Sequence, residues 1–397
     1  MPSSKPTQWR SLITSANPTR LKPRRLIASM TDPPNDAKPR NIPTPSPPPT
    51  TLLPLMDLEQ SSSTLRKALN ETRTARISLP NIRKILIVTR PHFELESLTV
   101  EIAEFLAHRG VHVVIGRDIQ FQGSHKTAGS ITHWDGVDQD IDLVITLGGD
   151  GTVLYTSSLF QNRVPPIVPF HLGSLGFLTV FEKSTYPSVL SDILDGKPQH
   201  MNLRTRLQAE IYQKSPSSKS GLGDLVFSRK VLNEVVVDRG VNSTMVNLDL
   251  FGDGHHITSI LADGLVVATP TGSTAYSLSA GGPLVHPSKS SVIVTPICPH
   301  ALTARPMILP SSIDLQLSLS TDARGSAWVS FDGRDRFELD EGSSIVIRAA
   351  VHSPFPSICR ETSSKDWFQS LVSSLGWNVR TKQKRRPATT TGSLSKL

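Results

Sequence analysis

An aspartate set among glycines, in the run LGGDGT at residues 147–152, directly follows the apolar run IDLVIT at 141–146. In an open parallel sheet, ligands sit beyond the carboxyl ends of the strands. Gly148 and Gly149 have no Cβ where the chain leaves the strand, so backbone N–H groups can approach phosphate oxygens closely. Asp150 then projects from the turn toward a ligand, and Thr152 begins a helix whose positive end favours an anion. The alternative is an ordinary strand-to-helix turn with an aspartate cap, because glycine and aspartate are common turn residues. The chain has no GxxxxGK[ST], so this is not a Walker A loop, and GGDGT is not the GxGxxG dinucleotide fingerprint.

Two further stretches carry polar chemistry. In ADGLVVATPTGSTAYSLSAGG (262–282) a strand at 265–269 runs into Pro270, Thr271, Gly272, Ser273 and Thr274, with a short helix expected at 275–280. Hydroxyls crowded at a helix start suit phosphate or ribose recognition better than a merely capped turn does. In LNEVVVDRG, Asn233 and Glu234 precede a strand. An amide beside a carboxylate can read ribose hydroxyls or a carboxamide, while exposed hairpin residues are the blander alternative.

These residues need elements to hold them. KILIVT (84–89), VHVVIG (111–116) and IDLVITL (141–147) read as strands, and IVPFHLG (167–173) as a further strand and loop. Between the first two, Leu95, Leu98, Ile102, Phe105 and Leu106 form one helical stripe that ends at Gly110. TVLYTSSLF (152–160) reads as a helix, as does YPSVLSDILDG, with Pro187 near its start and Gly196 at its end. Alternating strands and helices predict a parallel sheet with helices on its faces over 52–200. From 201 to 362 the period becomes two: Val246, Leu248 and Leu250 alternate before a turn at 252–254, and a hairpin is expected around Asp332-Gly333. A final helix is expected over 363–380, with Ser364 as its cap.

Composition narrows the classes. With 397 residues there is room for two or three domains, and 31 prolines with only 37% hydrophobic residues suggest tails that dilute a normal core. The net charge of +8 lies in those tails: residues 1–25 and 378–397 each hold six basic residues and no acid. The remainder is mildly acidic, which argues against nucleic acid as a partner. No apolar run of ~18 residues predicts a membrane helix. Two cysteines, Cys298 and Cys359, suggest a reduced compartment without a disulfide framework, and no Cys/His cluster has zinc spacing, so no metal ligand is assigned. Residues 1–51 and 381–397 read as disordered basic tails. The acid-free start resembles a transit peptide, but Pro2, Pro6, Pro18 and Pro23 interrupt a continuous helix there. A cytoplasmic location is expected, with mitochondrial import as the alternative.

Taken together, LGGDGTVLYTSSLF, PFHLGSLGFLT, VLNEVVVDRG, ADGLVVATPTGSTAYSLSAGGPLVHPS, TPICPHALTARPMILP, WVSFDGRDRFEL and WFQSLVSSLGWNVR resemble the NAD kinases, in particular the eukaryotic ones. GGDGT alone is shared with lipid kinases; NEVV followed by TPTGSTAYSLSAGG is far more specific. The resemblance covers residues 82–380 and implies a Rossmann-like α/β N-terminal domain, a β-sandwich-like C-terminal domain and a site between them, usually in homo-oligomers. It implies phosphoryl transfer from ATP, with Mg²⁺, to the adenosine ribose 2′-hydroxyl of NAD. On the same likeness Asp150 accepts the hydroxyl proton and Gly151 lies against the ligand. Phe177 packs beside the adenine, and Asn233, Glu234 and Asp263 contact the dinucleotide, Asp263 at its nicotinamide end. Thr274, Ala275 and Tyr276 form the NAD-binding turn, with Ser279 one helical turn on. An NADH kinase would use the same motifs. A lipid kinase sharing GGDGT and an inactive nucleotide-binding regulator are the remaining alternatives.

Overall fold

Strands that are apolar on both faces must be covered on both faces, which parallel sheets flanked by helices achieve. KILIVT and LVITL are strands of that kind. The computed structural model describes residue 64 and, from 76 to 378, all residues except 90–92, 118, 120–129, 137–139, 215–222 and 321. All described residues belong to the compact unit Pro43–Leu397. The tails expected at 1–51 and 381–397 lie outside the described residues.

The first half comprises β1 (Arg76–Ile77), β2 (Lys84–Thr89), α1 (Phe93–His108), β3 (His112–Ile115), β4 (Ile131–His133), β5 (Leu143–Leu147), α2 (Asp150–Leu159), β6 (Ile167–His171), β7 (Phe181–Glu182), α3 (Tyr186–Leu194) and β8 (Gln199–Arg204). The second comprises β9 (Leu207–Gln213), β10 (Asp224–Val231), β11 (Glu234–Asp238), β12 (Val246–Gly252), β13 (His255–Ala262), β14 (Gly264–Ala268), α4 (Tyr276–Ser279), β15 (Ser291–Ile297), β16 (Met307–Pro310), β17 (Leu315–Leu319), β18 (Ala327–Phe331), β19 (Arg334–Leu339), β20 (Ser344–Ala349), β21 (Phe355–Ile358) and α5 (Ser363–Leu375).

Among the described residues, the first sheet runs β1-β8-β21-β6-β5-β2-β3-β4, with β7 beside β6. From β21 through β6, β5, β2 and β3 to β4 the pairing is parallel. Alternate residues serve opposite faces. Ile85, Ile87, Leu143 and Ile145 join Ile102 and Leu106 of α1 and Leu190 of α3 in one core. Leu86, Val88 and Val144 join Val153 of α2 in the other. The stripe read for α1 is thus its packing face, and Gly110 (φ +78) ends that helix in the left-handed region that glycine tolerates.

Two antiparallel six-stranded sheets form the second half, β10-β9-β20-β17-β12-β13 and β16-β15-β14-β11-β18-β19. One core holds the alternating residues of both, including Leu207, Ala209 and Ile211 of β9 and Val235 and Val237 of β11. The turns at 253–254 and 332–333 are two-residue hairpin loops with both φ values positive, the type I′ geometry that Asp-Gly favours.

The division between halves is not a single point in the chain. β8 belongs to the first sheet, and the chain returns to that sheet at β21, between β8 and β6. A short apolar run such as FPSI fits either sheet by its residue types, and its pairing partners decide. The helix expected from Thr152 begins at Asp150, and α5 is capped by Thr362 rather than Ser364, its side chain accepting from Lys365 N.

Arg206, fully buried just beyond β8, ties the halves together. Its Nη1 donates to Ser157 O (3.3 Å) and Phe160 O (2.6 Å) at the end of α2. Nη2 donates to Asn162 O (3.4 Å) and to Ser353 Oγ, and Nε to Ser353 O (2.8 Å). All the donors of the guanidinium fork are used. Burial lowers its pKa to about 10, which still leaves it charged at neutral pH. Replacing it strands several buried carbonyls, each worth roughly 1–3 kcal/mol. Arg206→Met is expected to lose at least ~3 kcal/mol, read as a lower urea midpoint; an unchanged midpoint would show that this hub does not hold the halves.

Candidate functional site

Sheet register collects the motifs. In the first sheet Leu147 pairs with Phe170, so GGDGT and the loop after β6 leave the same edge. In the second, Glu234 at the start of β11 pairs with Ala268 at the end of β14, and Val235 pairs with Phe331 at the end of β18. Antiparallel pairing therefore brings Asn233-Glu234, the loop after Ala268 and the Asp332-Gly333 turn to one edge.

Asp150 is held by the loop after β6. Its Oδ2 accepts from Phe177 N (3.0 Å), and its Oδ1 accepts from Leu178 N (3.0 Å) and Thr179 Oγ1 (3.2 Å). The approach requires a glycine, since a Cβ on Gly176 would lie 2.1 Å from Asp150 Oδ1. Asp150 does not cap its helix. Gly149 occupies the N-cap position with no side-chain cap bond; the Thr152 N–H turns back to Gly149 O (2.9 Å), and the N–H groups of Asp150 and Gly151 before it have no intrahelical acceptor. Gly148 differs from the phosphate-approach reading: its N–H donates to Phe170 O (3.1 Å), and a Cβ there would meet Thr152 Oγ1 at 2.2 Å. Gly149 is exposed with open space where its Cβ would be, whereas Thr152 is buried under Gly148. Gly151 is half-buried in the first turn.

Asn233 and Glu234 are buried, not exposed hairpin residues. The sequence could not reveal what holds their backbone, which is Asp332. Its Oδ2 accepts from Leu232 N (2.8 Å), and its Oδ1 accepts from Asn233 N (2.8 Å) and Glu234 N (3.0 Å). Burial raises the Asp332 carboxyl, and these three donors and the Arg206 charge pull it back only in part. Glu234 is pushed up to about 8 by burial, then by the Asp332 charge, against a hydrogen bond from the Tyr276 backbone. It is therefore mainly a neutral acid at pH 7, an O–H donor as well as an acceptor. Asn233 Oδ1 and Glu234 Oε2 are buried without a hydrogen-bond partner. Buried polar atoms are rarely left so, and two adjacent ones mark a place for a polar ligand.

The TPTGS loop packs tightly on this pair. Thr269 N donates to Asn233 O (2.8 Å), and a Cβ on Gly272 would lie 2.3 Å from the same carbonyl. Thr271 Oγ1 accepts from Arg204 Nη1 (3.3 Å). Ser273 Oγ donates to Pro270 O and accepts from Val285 N, so it braces the loop from inside. Thr274 Oγ1 bonds to Thr271 O (3.2 Å). Ala275 is half-buried, and Tyr276 and Ser279 are exposed. The Tyr276 phenol is raised by burial and then by Asp238, Cys298 and Asp263, which puts Asp263 within its electrostatic reach. Asp263 is half-exposed and paired with Arg239 at 2.9 Å. Half-buried Phe177 connects the two loops: its carbonyl accepts from Arg204 Nη2 (3.3 Å), the same guanidinium that reaches Thr271. The residues that sequence reasoning missed, Arg204, Thr179 and Asp332, act by contacts across 27 to 100 positions of chain. Asp332 alone left a trace, as the Asp-Gly of a hairpin.

A helix N-terminus, a gripped aspartate and unpartnered buried polar atoms beside a small-residue loop define a polar-ligand site at the meeting of an α/β sheet and a β-sandwich. Residues 85–198 match the ATP-NAD kinase N-terminal domain, and residues 232–357 the ATP-NAD kinase C-terminal domain. The chain is 30% identical to the structure described as yeast NADH kinase complexed with NADH, covering 78% of this chain and 96% of that one with a TM-score of 0.69. It is 48% identical over 254 residues to ATP-NADH kinase YEF1 of Saccharomyces cerevisiae, covering 62% of this chain and 50% of that protein. It is 41% identical over 329 residues to NAD(+) kinase of the same organism, covering 77% and 61%. The chain thus spans about half to three-fifths of the length of these two relatives. The chain belongs to the ATP-NAD kinase family.

The raised Glu234 carboxyl gives a pH signature. Its folded pKa of about 8 lies above the ordinary glutamate value of 4.5, so the folded state holds a proton that the unfolded state releases between them. Its stabilising contribution is complete below pH ~4.5 and is lost as pH rises toward 8. Relative to Glu234→Gln, the wild type is expected to lose stability steadily over that window in urea unfolding; parallel curves would place Glu234 in an ordinary carboxylate environment.

Proposed function

We propose that the chain transfers the γ-phosphoryl group of ATP to the 2′-hydroxyl of the adenosine ribose of NAD, giving NADP and ADP. The observation that carries this reading is the unpartnered pair Asn233 Oδ1 and Glu234 Oε2, joined through the TPTGS loop and Arg204 to the loop that grips Asp150. Family membership supports the reaction type.

The ribose oxygen attacks the γ-phosphorus, the bond from that phosphorus to the β,γ-bridging oxygen breaks, and the hydroxyl proton passes to Asp150. Positioned proton acceptors contribute typically ~10²–10⁴-fold. The larger share comes from holding two anionic substrates in line and balancing the charge of the transferring group. Phe177 N, Leu178 N and Thr179 Oγ1 fix the Asp150 carboxylate and occupy both sites on Oδ1 and one on Oδ2, so the proton acceptor left is the second site of Oδ2. At the uncapped start of α2 the N–H groups of Asp150 and Gly151, ahead of the bonded Thr152 N, are offered to phosphate oxygens. Neutral Glu234 and the Asn233 amide offer hydrogen bonds to the dinucleotide without adding charge near its phosphates. Mg²⁺ belongs to this reading as part of the MgATP substrate. Among the described residues no cluster of three His, Cys, Asp or Glu could hold a metal ion, so no protein cage for it is proposed.

A second reading, NADH as the acceptor, is favoured by the 48% identity to ATP-NADH kinase YEF1. It uses the same residues, and parallel assays with NAD and NADH separate the two. Homo-oligomeric association is part of the same proposal. It would cover the apolar residues Ile257 and Leu261 on β13 and Ile308 on β16, all exposed here.

Asp150→Asn is expected to lower NADP formation by about 10²–10⁴-fold while NAD binding persists. Coupled NADP production and calorimetric NAD titration measure the two quantities. Near-wild-type turnover in that variant would remove Asp150 from the chemistry.

A further inference from the structure

Asp150 is gripped by two consecutive peptide N–H groups, so its aim depends on how those two peptide planes are turned. A peptide unit is planar and trans, with its C=O and N–H pointing in opposite directions. Whatever fixes the carbonyl therefore fixes the N–H on the other side.

Both carbonyls are fixed by side chains from outside the loop. The peptide between Gly176 and Phe177 gives its N–H to Asp150 Oδ2 (3.0 Å), and its carbonyl accepts from Ser370 Oγ of α5 (2.8 Å). The peptide between Phe177 and Leu178 gives its N–H to Asp150 Oδ1 (3.0 Å), and its carbonyl accepts from Arg204 Nη2 of β8 (3.3 Å). Ser370 is fully buried, as is nearly all of Arg204. A third contact provides an internal control. Ser374 Oγ, one turn on from Ser370, donates to Leu175 O (2.9 Å). The N–H of that peptide, Gly176 N, goes to Thr179 O (3.3 Å) and not to Asp150.

We propose that Ser370 and Arg204 are positioning residues for Asp150, acting through these two peptide planes, so that the C-terminal helix sets the direction of the acceptor carboxylate. The inference rests on the proposed role of Asp150, but its structural half stands apart from it. The hydroxyl of Ser370 touches no reacting group; it acts at 194 positions' remove in the chain, on Gly176 O. Arg204 adds a second coupling, because its other arm holds Thr271, so the dinucleotide loop and the Asp150 loop share one guanidinium.

The test compares Ser370→Ala with Ser374→Ala in the full chain. Misplacement of a reacting group by about 1 Å can cost ~10²-fold, so Ser370→Ala is expected to lower kcat by on the order of tenfold or more. KM for NAD and for MgATP should stay within about twofold, because the binding groups remain in place. Ser374→Ala is expected to leave kcat within about twofold. Amide hydrogen exchange should accelerate at Phe177 and Leu178 in Ser370→Ala and not in Ser374→Ala. Equal kcat losses in the two variants, or a Ser370→Ala loss carried entirely by KM, would overturn the proposal. Unchanged exchange at Phe177 and Leu178 in Ser370→Ala would overturn it whatever the kinetics. If the wild type does not phosphorylate NAD or NADH, the reaction assignment falls, and the exchange comparison alone decides whether α5 orients Asp150.

Discussion

A buried cation bound to carbonyls is the constraint on which the two halves depend. Taking a guanidinium out of water costs several kcal/mol, which must be offset by good hydrogen bonds. Arg206 meets that demand with carbonyls from the end of α2 and from Ser353, so the geometry of both halves is set around it. Cations are favourable at helix C-termini, and α2 has no basic residue of its own in its last turn. The other end of α2 carries Asp150. The helix is thus anchored at one end by the β-sandwich half and presents its aspartate at the other.

The charge of Arg206 also bears on Asp332, whose carboxylate it helps to keep ionised against burial. Asp332 in turn accepts the N–H groups of Leu232, Asn233 and Glu234. Burial first, and then the Asp332 charge beside it, raise the Glu234 carboxyl and move it toward its neutral form. A buried carboxyl that stays protonated can face a polyanionic ligand without repelling it. The body of the chain is mildly acidic, so in the proposed reaction local arrangements of this kind, with backbone N–H groups, would handle the phosphate charge.

Much of the fold was legible in the residues. Both-faces-apolar strands such as KILIVT predicted a covered parallel sheet, and the clean alternation in VNLDLFG predicted a half-covered antiparallel one. The site was legible as three separate motifs. Their roles were less so. Gly148 reads like a phosphate-approach glycine, yet it makes room for Thr152 and spends its N–H on Phe170. Asp150 reads like a cap, yet it reaches 27 positions along the chain to Phe177. Neither partner can be found by local pattern, because the contact arises only when β5 and β6 lie side by side.

By itself the sequence determined the main apolar strands and the helices between them, that glycines cluster at strand ends, and which polar residues are candidates for a ligand. Periodicity and turn chemistry are local, and local sequence encodes them. Tertiary structure alone decided that the Glu234 carboxyl is raised to about 8, that Asn233 and Glu234 have unpartnered oxygens, and that Arg204 joins two loops. It also returned β21 to the first sheet and set α5 on the loop that holds Asp150. Burial, desolvation and long-range hydrogen bonds depend on which surfaces meet, and no window of sequence contains both surfaces.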